Sequence, residues 1–280
     1  MKLIYTLSAG RTGTAFLAEL FARNFPDAEV HHERLSYDAF GVDIPDLSHL
    51  SLFNSRGNIQ KVQHFWEKKL ARILESNVNV YAETSHVLMK AGLVENAVRL
   101  CRGHELHFVR LRRAPVPTLL SYERRGDFLN KSSQWLWYLD DAYPRNFIKP
   151  EAFRRFGIHG LRLWYLVEIE FRAAYYRERY QDAEGVFFHE ADIDQLNDSN
   201  QAAAILSALH GEHSPESVIV PPKINASQDS ESPTPEQLRF LHKMVDATKN
   251  MEPSATAREY VSQGVDPFLP NVPSAKDNIA

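Results

Sequence analysis

The sequence predicts an α/β fold, a three-layer α/β/α arrangement with a central parallel sheet of about five strands. Three observations support this fold class. Short apolar runs alternate with longer segments whose apolar residues recur at helical spacing. Successive strands that are joined through a helix form right-handed βαβ units, so such strands run parallel. The chain has 280 residues, which suits one large domain with a sizeable core.

The amino-terminal part of the chain predicts three strands and three helices. Between the second strand and the second helix, Pro45 and Gly57 interrupt a stretch at 38–58 that we predict to be rich in loop. In chain order, the predicted elements are a strand at 1–8, a helix at 13–24, a strand at 28–32, a helix at 59–76, a strand at 78–82 and a helix at 88–101.

The remaining part predicts two more strands and four more helices. Residues 126–160 are mixed and rich in aromatic side chains, and we predict that they form a lid or acceptor insertion rather than sheet. We predict a single domain over 1–262 and an extended tail over 263–280, where three prolines interrupt the periodicity. The predicted elements are a strand at 106–111, helices at 116–124 and 160–181, a strand at 185–189, and helices at 199–210 and 235–249, with a surface loop at 211–235.

The segment between the first strand and the first helix has the composition of a phosphate-binding turn. Backbone N–H groups at such a turn meet the positive end of the helix dipole, and Arg11 adds a cation with a planar fork of donors. This is not a Walker A loop, because no Lys follows the second Gly. An ordinary turn with a helix cap is the alternative. The candidate anion-binding residues are Gly10, Arg11, Thr12, Gly13, Thr14 and Ala15.

This order of residues resembles the 5′-phosphosulfate loop of sulfotransferases that use 3′-phosphoadenosine 5′-phosphosulfate (PAPS). The resemblance covers the strand, loop and helix framework from residue 1 to 195. It implies a P-loop-NTPase-like sulfotransferase fold with PAPS as co-substrate. A sulfuryl group carries less charge than a phosphoryl group, so the resemblance implies no metal.

A second part of the resemblance follows the fourth predicted strand. In PAPS-dependent sulfotransferases, an Arg just past a strand and a Ser eight residues later bind the 3′-phosphate, and Arg113 and Ser121 have this spacing. A solvated basic edge of Arg110, Arg112 and Arg113 is the alternative, since charge runs are usually solvated. Lys223 stands where family members often have a short segment that closes over the nucleotide.

The resemblance also implies catalytic roles. Arg11 would stabilise the sulfuryl group and the leaving phosphate, at a position where many family members have Lys and tyrosylprotein sulfotransferases have Arg. Glu33 matches a Glu that several carbohydrate and protein sulfotransferases place just after the second strand, which makes it a candidate general base. His32 is the competing base, because an imidazole titrates near neutral pH. The alternative is that these are a hydrogen-bonded core histidine and a solvated carboxylate.

The end of the third predicted strand departs from the family pattern. Family members often have Glu/Asp-Lys-Ser/Asp-Pro there, with the Lys near the sulfuryl group, whereas Thr84 stands at the Lys position and His86 at the Pro position. One customary cation is missing, so His86 or another residue replaces it, or the activity is altered or absent. Capping of the following helix by Thr84 and Ser85 is the alternative.

Composition and spacing argue against several other classes of protein. The formal net charge of −4 argues against general binding to nucleic acid or a membrane surface. Cys101 is the single cysteine, so an intramolecular disulfide and a thiolate-rich metal site are excluded. His31, His32 and Glu33 are too close in a strand to present three metal ligands, because adjacent side chains face opposite ways. We expect a cytoplasmic protein without a membrane span, since the chain lacks an apolar run of about 18 residues.

We therefore expect a sulfotransferase that moves a sulfuryl group from PAPS to a hydroxyl (or amine) of a carbohydrate, lipid or small-metabolite acceptor, by in-line transfer with a general base. The loops at 34–58 and 126–160 would supply the acceptor pocket. One alternative is a P-loop nucleotide-dependent kinase, against which the missing Walker Lys counts. The other is a non-catalytic nucleotide-binding protein on the same fold, which the departure at Thr84 keeps open.

Overall fold

Five strands form one sheet in the computed structural model, which describes residues 1–34, 40–129, 137–222 and 232–270. The strands lie in the order β2-β3-β1-β4-β5, and every neighbouring pair is parallel. The predicted α/β class with a parallel sheet of five strands is confirmed. The strands are β1 (Lys2–Leu7), β2 (Ala28–His32), β3 (Val80–Thr84), β4 (Glu105–Arg112) and β5 (Val186–Asp192).

Helices cover both faces of the sheet, and the described residues contain ten α-helices. The helices are α1 (Thr14–Asn24), α2 (Leu47–Arg56), α3 (Gln60–Glu75), α4 (Leu93–Leu100), α5 (Pro115–Arg124), α6 (Glu151–Arg154), α7 (Gly157–Tyr180), α8 (Ser199–Leu209), α9 (Pro235–Asp246) and α10 (Pro253–Ser262). None of them is both long and apolar enough to cross a membrane.

The central strand β1 shows how the two layers share the sheet. Leu3 and Tyr5 pack into the larger core, which contains apolar side chains of α2, α3, α4, α5 and α7. Ile4, between them, points to the opposite face and packs into the smaller core under α1 and α8. Successive side chains of a strand alternate between the two faces of the sheet. A strand that is buried on both faces is therefore a nearly continuous apolar run, and such a run predicted β1.

The stretch at 38–58 that is predicted to be rich in loop contains a helix that was not predicted, α2, over Leu47–Arg56. A reciprocal cap starts this helix. The Asp46 carboxylate accepts from the His49 backbone N–H at 2.9 Å, and His49 Nδ1 accepts from the Asp46 N–H at 3.2 Å. The usual capping box has Glu or Gln at the third helical position. Because histidine stands there in this chain, the sequence pattern of a capping box does not indicate the start of α2.

The predicted helix over residues 88–101 is divided in two. A 3₁₀ helix, Leu88–Ala91, precedes α4, and Gly92 between them has φ of 91°. A Cβ at residue 92 would lie 3.0 Å from the Phe53 ring, so the break lets α2 approach closely. The helix is interrupted because a left-handed residue cannot continue a right-handed helix.

The carboxyl-terminal part packs against the domain further than the sequence predicts. Helix α10 was not predicted. Residues 263–270 continue after it mainly as turns and bends instead of forming an extended tail. Phe268 is buried, with its ring stacked 4.7 Å from that of Phe53 and 5.8 Å from that of Tyr176. The remaining residues of the predicted tail, 271–280, lie outside the described residues.

Residues 126–160 contain helix but no strand where they are described. The short α6 lies in it, and α7 begins at Gly157, slightly before the predicted start at residue 160. Its residues 130–136 lie outside the described part of the chain.

Candidate functional site

The turn between β1 and α1 lies at the carboxyl edge of the sheet. Its backbone is left-handed at Arg11, with φ of 64°, and at Gly13, with φ of 92°. Among the described residues, no acceptor pairs with the backbone N–H groups of residues 11–16. These donors stand at the amino terminus of an eleven-residue helix, where the helix dipole is positive. The loop can therefore bind an anion through its main chain.

Side chains from distant parts of the chain hold this turn in place. The Gly10 N–H donates to the Tyr165 hydroxyl at 3.2 Å, and the Tyr122 hydroxyl donates to the Gly10 carbonyl at 2.7 Å. The Thr12 hydroxyl donates to the Ala9 carbonyl at 2.8 Å. A Cβ at residue 10 would lie 2.7 Å from the Tyr138 ring, so only glycine fits there without a shift. The turn is thus rigid before any ligand binds.

Arg11 forms a bidentate ion pair with Asp127. Its Nε donates to Asp127 Oδ2 at 2.8 Å, and its Nη2 donates to Oδ1 at 3.2 Å. Burial lowers the pKa of Arg11. The hydrogen bonds to Asp127 and the electrostatic effect of the neighbouring Tyr138 outweigh burial, so the pKa of Arg11 is raised. Arg11 is therefore a permanent cation beside the unpaired N–H groups.

Arg113 contacts the same turn from the end of β4. Its Nη1 donates to the Arg11 carbonyl at 3.3 Å, and its Nε lies 3.8 Å from Asp194 Oδ1. The structure thus brings together Arg11 and Arg113, two of the predicted anion-binding residues. Ser121 is half-buried on α5, and no hydrogen bond within the described part of the chain joins its side chain to Arg113. Lys223, the other predicted nucleotide contact, lies outside the described residues.

The ends of β2 and β3 bring the candidate bases to the same edge of the sheet. Glu33 has a left-handed φ of 47°, and its N–H donates to the Thr84 carbonyl at 3.1 Å. Its Oε1 lies 3.6 Å from His86 Nε2. His32 is exposed, and its Nδ1 lies 3.1 Å from the Thr84 carbonyl oxygen. Because a carbonyl only accepts, Nδ1 carries the proton and Nε2 carries the lone pair.

Thr84 itself does not supply the missing cation. Its buried hydroxyl donates to the Thr14 carbonyl at 2.8 Å, so it ties the end of β3 to the start of α1. The Ser85 hydroxyl accepts from the Val87 N–H at 3.0 Å, but neither the 3₁₀ helix nor α4 has a side-chain cap, so Thr84 and Ser85 do not cap the following helix. These two hydroxyls therefore have structural partners.

A lysine amine reaches the site from Lys90, which the sequence analysis missed. Lys90 is fully buried, and its Nζ donates to the Trp137 carbonyl at 2.5 Å, to the Tyr165 hydroxyl at 3.0 Å and to His86 Nδ1 at 3.1 Å. Its ammonium also lies over the rings of Tyr165 and Tyr138, at 5.0 and 5.7 Å from their centroids. No local sequence pattern marked Lys90, because His86 lies before the 3₁₀ helix that contains Lys90.

The contacts of Lys90 set the protonation of His86. Burial lowers the pKa of Lys90, and burial followed by the charge of Lys90 lowers the pKa of His86 well below its usual value. With Lys90 as the donor, His86 Nδ1 accepts, so the proton of the neutral ring lies on Nε2, the atom nearest Glu33. Lys90 and His86 are thus joined by a hydrogen bond, and the candidate base Glu33 lies next to His86 at 3.6 Å.

The arrangement can hold an anion and deprotonate a nearby hydroxyl. Cationic and N–H donors lie at the turn, and a carboxylate and two imidazoles lie at the neighbouring strand ends. The described residues contain no group of three or more His, Cys, Asp or Glu side chains that could hold a metal ion. The amino-acid sequence matches no protein-family model, and no curated protein is significantly similar to it.

Proposed function

We propose that this protein is a PAPS-dependent sulfotransferase with a P-loop-like nucleotide site. The observation that carries the proposal is the run of unpaired N–H groups at residues 11–16, flanked by the guanidinium groups of Arg11 and Arg113. The first set of donors suits the 5′-phosphosulfate, and Arg113 suits a second anionic group, the 3′-phosphate. Lys90 supports the proposal, because it brings a lysine amine, hydrogen-bonded to His86 and Tyr165, to the region where Thr84 replaces the customary Lys.

Each residue has a role in the proposed transfer. Main-chain N–H groups and Arg11 hold the sulfuryl group in line and stabilise the charge that develops on the leaving phosphate. Glu33 accepts the acceptor's hydroxyl proton as the hydroxyl oxygen attacks sulfur. The bond from sulfur to the phosphate oxygen breaks, and 3′-phosphoadenosine 5′-phosphate (PAP) leaves with the bonding electron pair. His86, which Lys90 holds as the Nε2–H tautomer, orients the Glu33 carboxylate.

The cofactor site is tested first by isothermal titration with PAP, with ATP and Mg²⁺ as comparator. The variant Arg113→Ala removes the cation at the end of β4, and Arg112→Ala is its matched control, since the neighbouring Arg112 is exposed and pairs with Glu170 at 3.4 Å. We expect micromolar binding of PAP that falls about tenfold or more in Arg113→Ala and is unchanged in Arg112→Ala.

Two results would overturn the proposal. Absence of PAP binding by the wild-type protein would remove the sulfotransferase function. Binding of ATP that requires Mg²⁺ and exceeds the binding of PAP would instead favour a nucleotide-dependent kinase.

A further inference from the structure

Asp127 stands at the centre of a network that no part of the proposed reaction uses directly. Its carboxylate accepts hydrogen bonds from Nε and Nη2 of Arg11, at 2.8 and 3.2 Å. A guanidinium presents five N–H donors in a fixed fork, so this pairing leaves Nη1 outside it. Arg11 can therefore bind a second oxyanion without releasing Asp127.

The main chain of Asp127 is fixed on both sides. Its carbonyl accepts from Arg162 Nε at 3.1 Å and Nη2 at 2.9 Å, and Arg162 is fully buried on α7. Its N–H donates to the Tyr122 carbonyl at 2.9 Å. The same Tyr122 donates its hydroxyl to Gly10 in the anion-binding turn, so Asp127 and the turn share one frame.

This rigidity decides between two possible effects of the carboxylate. A negative charge beside an anion site repels the ligand, so a carboxylate acting only through its charge would weaken binding. A carboxylate that holds the cation in one orientation strengthens binding, because less side-chain freedom is lost when the ligand arrives. Since Asp127 is itself held by two hydrogen bonds from Arg162, orientation is the effect that the contacts favour.

We propose that Asp127 is a positioning residue that orients Arg11 for the anionic group of the nucleotide, and that Arg162 acts through Asp127. The proposal rests on the proposed function and deepens it. Arg11 has a strained left-handed backbone at the turn, and Asp127 compensates by fixing the far end of its side chain.

A double-mutant cycle tests this role. Binding of PAP and, separately, of inorganic pyrophosphate is measured for wild type, Arg11→Ala, Asp127→Ala and the double variant. We expect Asp127→Ala to weaken binding about tenfold and Arg11→Ala to weaken it by up to about a hundredfold. The double variant should bind no more weakly than Arg11→Ala, because Asp127 acts only through Arg11. Asp141→Ala, which removes the partner of exposed Arg154, is the control and should bind like wild type.

Two further variants keep the test open if Asp127→Ala does not fold. Asp127→Asn retains one oxygen acceptor for Arg11, and we expect an intermediate loss of affinity. Arg162→Met leaves the carboxylate in place but frees the backbone of Asp127. It should weaken binding when Arg11 is present and should have no further effect in the Arg11→Ala variant.

The outcomes separate this inference from the proposed function. Unchanged or tighter binding by Asp127→Ala, or an additive loss in the double variant, would overturn the positioning role. Binding of pyrophosphate without PAP would remove the proposed function, and the cycle measured with pyrophosphate would still decide the role of Asp127. Failure of the wild-type protein to bind either anion would overturn both.

Discussion

Two arginine–carboxylate pairs in this protein have the same chemistry and different surroundings. Arg172 and Glu168 on α7 are fully buried, with Nε donating to Oε1 at 2.7 Å. The other two nitrogens of Arg172 donate to Asn54 and Asn146, at 2.7 and 3.0 Å. The Arg11–Asp127 pair is partly exposed and leaves Nη1 outside the pairing.

The remaining hydrogen bonds complete the contrast. Glu168 also accepts the backbone N–H groups of Phe147 and Ile148, at 3.1 and 3.0 Å, so the buried pair fastens the insertion to α7. Burial raises the pKa of Glu168, and Arg172 opposes this shift. A pair whose donors all have partners inside the protein serves structure, whereas the pair beside unpaired N–H groups is available to a ligand.

The largest effect is expected when the buried pair is broken. Glu168→Ala leaves the Arg172 charge buried and should lower the free energy of unfolding by about 3–5 kcal/mol. Glu170→Ala, on the same helix, removes a partly exposed carboxylate and should cost no more than about 1 kcal/mol. Urea denaturation with a common slope measures both. Equal losses in the two variants would contradict the contrast between the pairs.

A buried lysine sharpens the comparison, because Lys90 is as buried as Arg172 but lies at the candidate site. Lys90→Met keeps an apolar side chain between Tyr138 and Tyr165, so we expect a folded protein whose turnover falls about 10²- to 10³-fold. Binding of PAP should change less, because Lys90 makes no hydrogen bond to the turn itself within the described part of the chain and reaches it through neighbouring side chains such as Tyr165. Steady-state turnover in a sulfuryl-transfer assay, beside titration with PAP, measures the two effects.

The control for this variant is Lys68→Met, which replaces an exposed lysine on α3 and should leave turnover unchanged. A Lys90→Met protein with full turnover would show that this cation belongs with Arg172, as a structural group.

The smallest effect is expected from the imidazoles of His107 and His189, which lie on the face of the sheet opposite to α7. Burial lowers the pKa of His189 to about 4, with smaller contributions from His107 and Lys2, and the two rings are joined at 2.9 Å. Because the unfolded chain binds the proton at higher pH than the folded protein, stability is lost as pH falls from about 6.5 to 4. His189→Gln should lose less stability over this range.

Thermal melts at pH 7 and pH 4 measure this difference. His64→Gln is the control, since His64 is largely exposed and lies 3.8 Å from Glu67. An equal acid shift in wild type and His189→Gln would show that other groups govern acid stability.

Local patterns account for the parts of the fold that were predicted. The apolar run of β1 and the glycines of the following turn are adjacent in the chain, so strand, turn and helix could be placed together. Helix α2 was missed because His49 replaces the usual partner in its cap. The break at Gly92 was missed because the close approach of Phe53, which requires it, comes from a different helix.

The candidate site was predictable only in part, for the same reason. Arg11 and Arg113 each follow a strand in a parallel sheet, so both were expected at its carboxyl edge. Asp127 pairs with Arg11 across 116 residues, and Lys90 meets the Tyr165 hydroxyl across 75. No spacing rule connects residues so far apart.

The sequence by itself determined the alternation of strands and helices, the parallel sheet and the composition of the glycine-containing turn after β1, because backbone conformation and side-chain periodicity depend on neighbouring residues. Tertiary structure alone decided that Asp127, Lys90 and Arg162 join the charged residues around that turn. The strand order β2-β3-β1-β4-β5 brings Glu33, His86 and Arg113 to one edge of the sheet, and the packing of α7 places Tyr165 and Arg162 beneath it. These contacts exist only once the layers have packed, since each joins side chains that lie far apart along the chain.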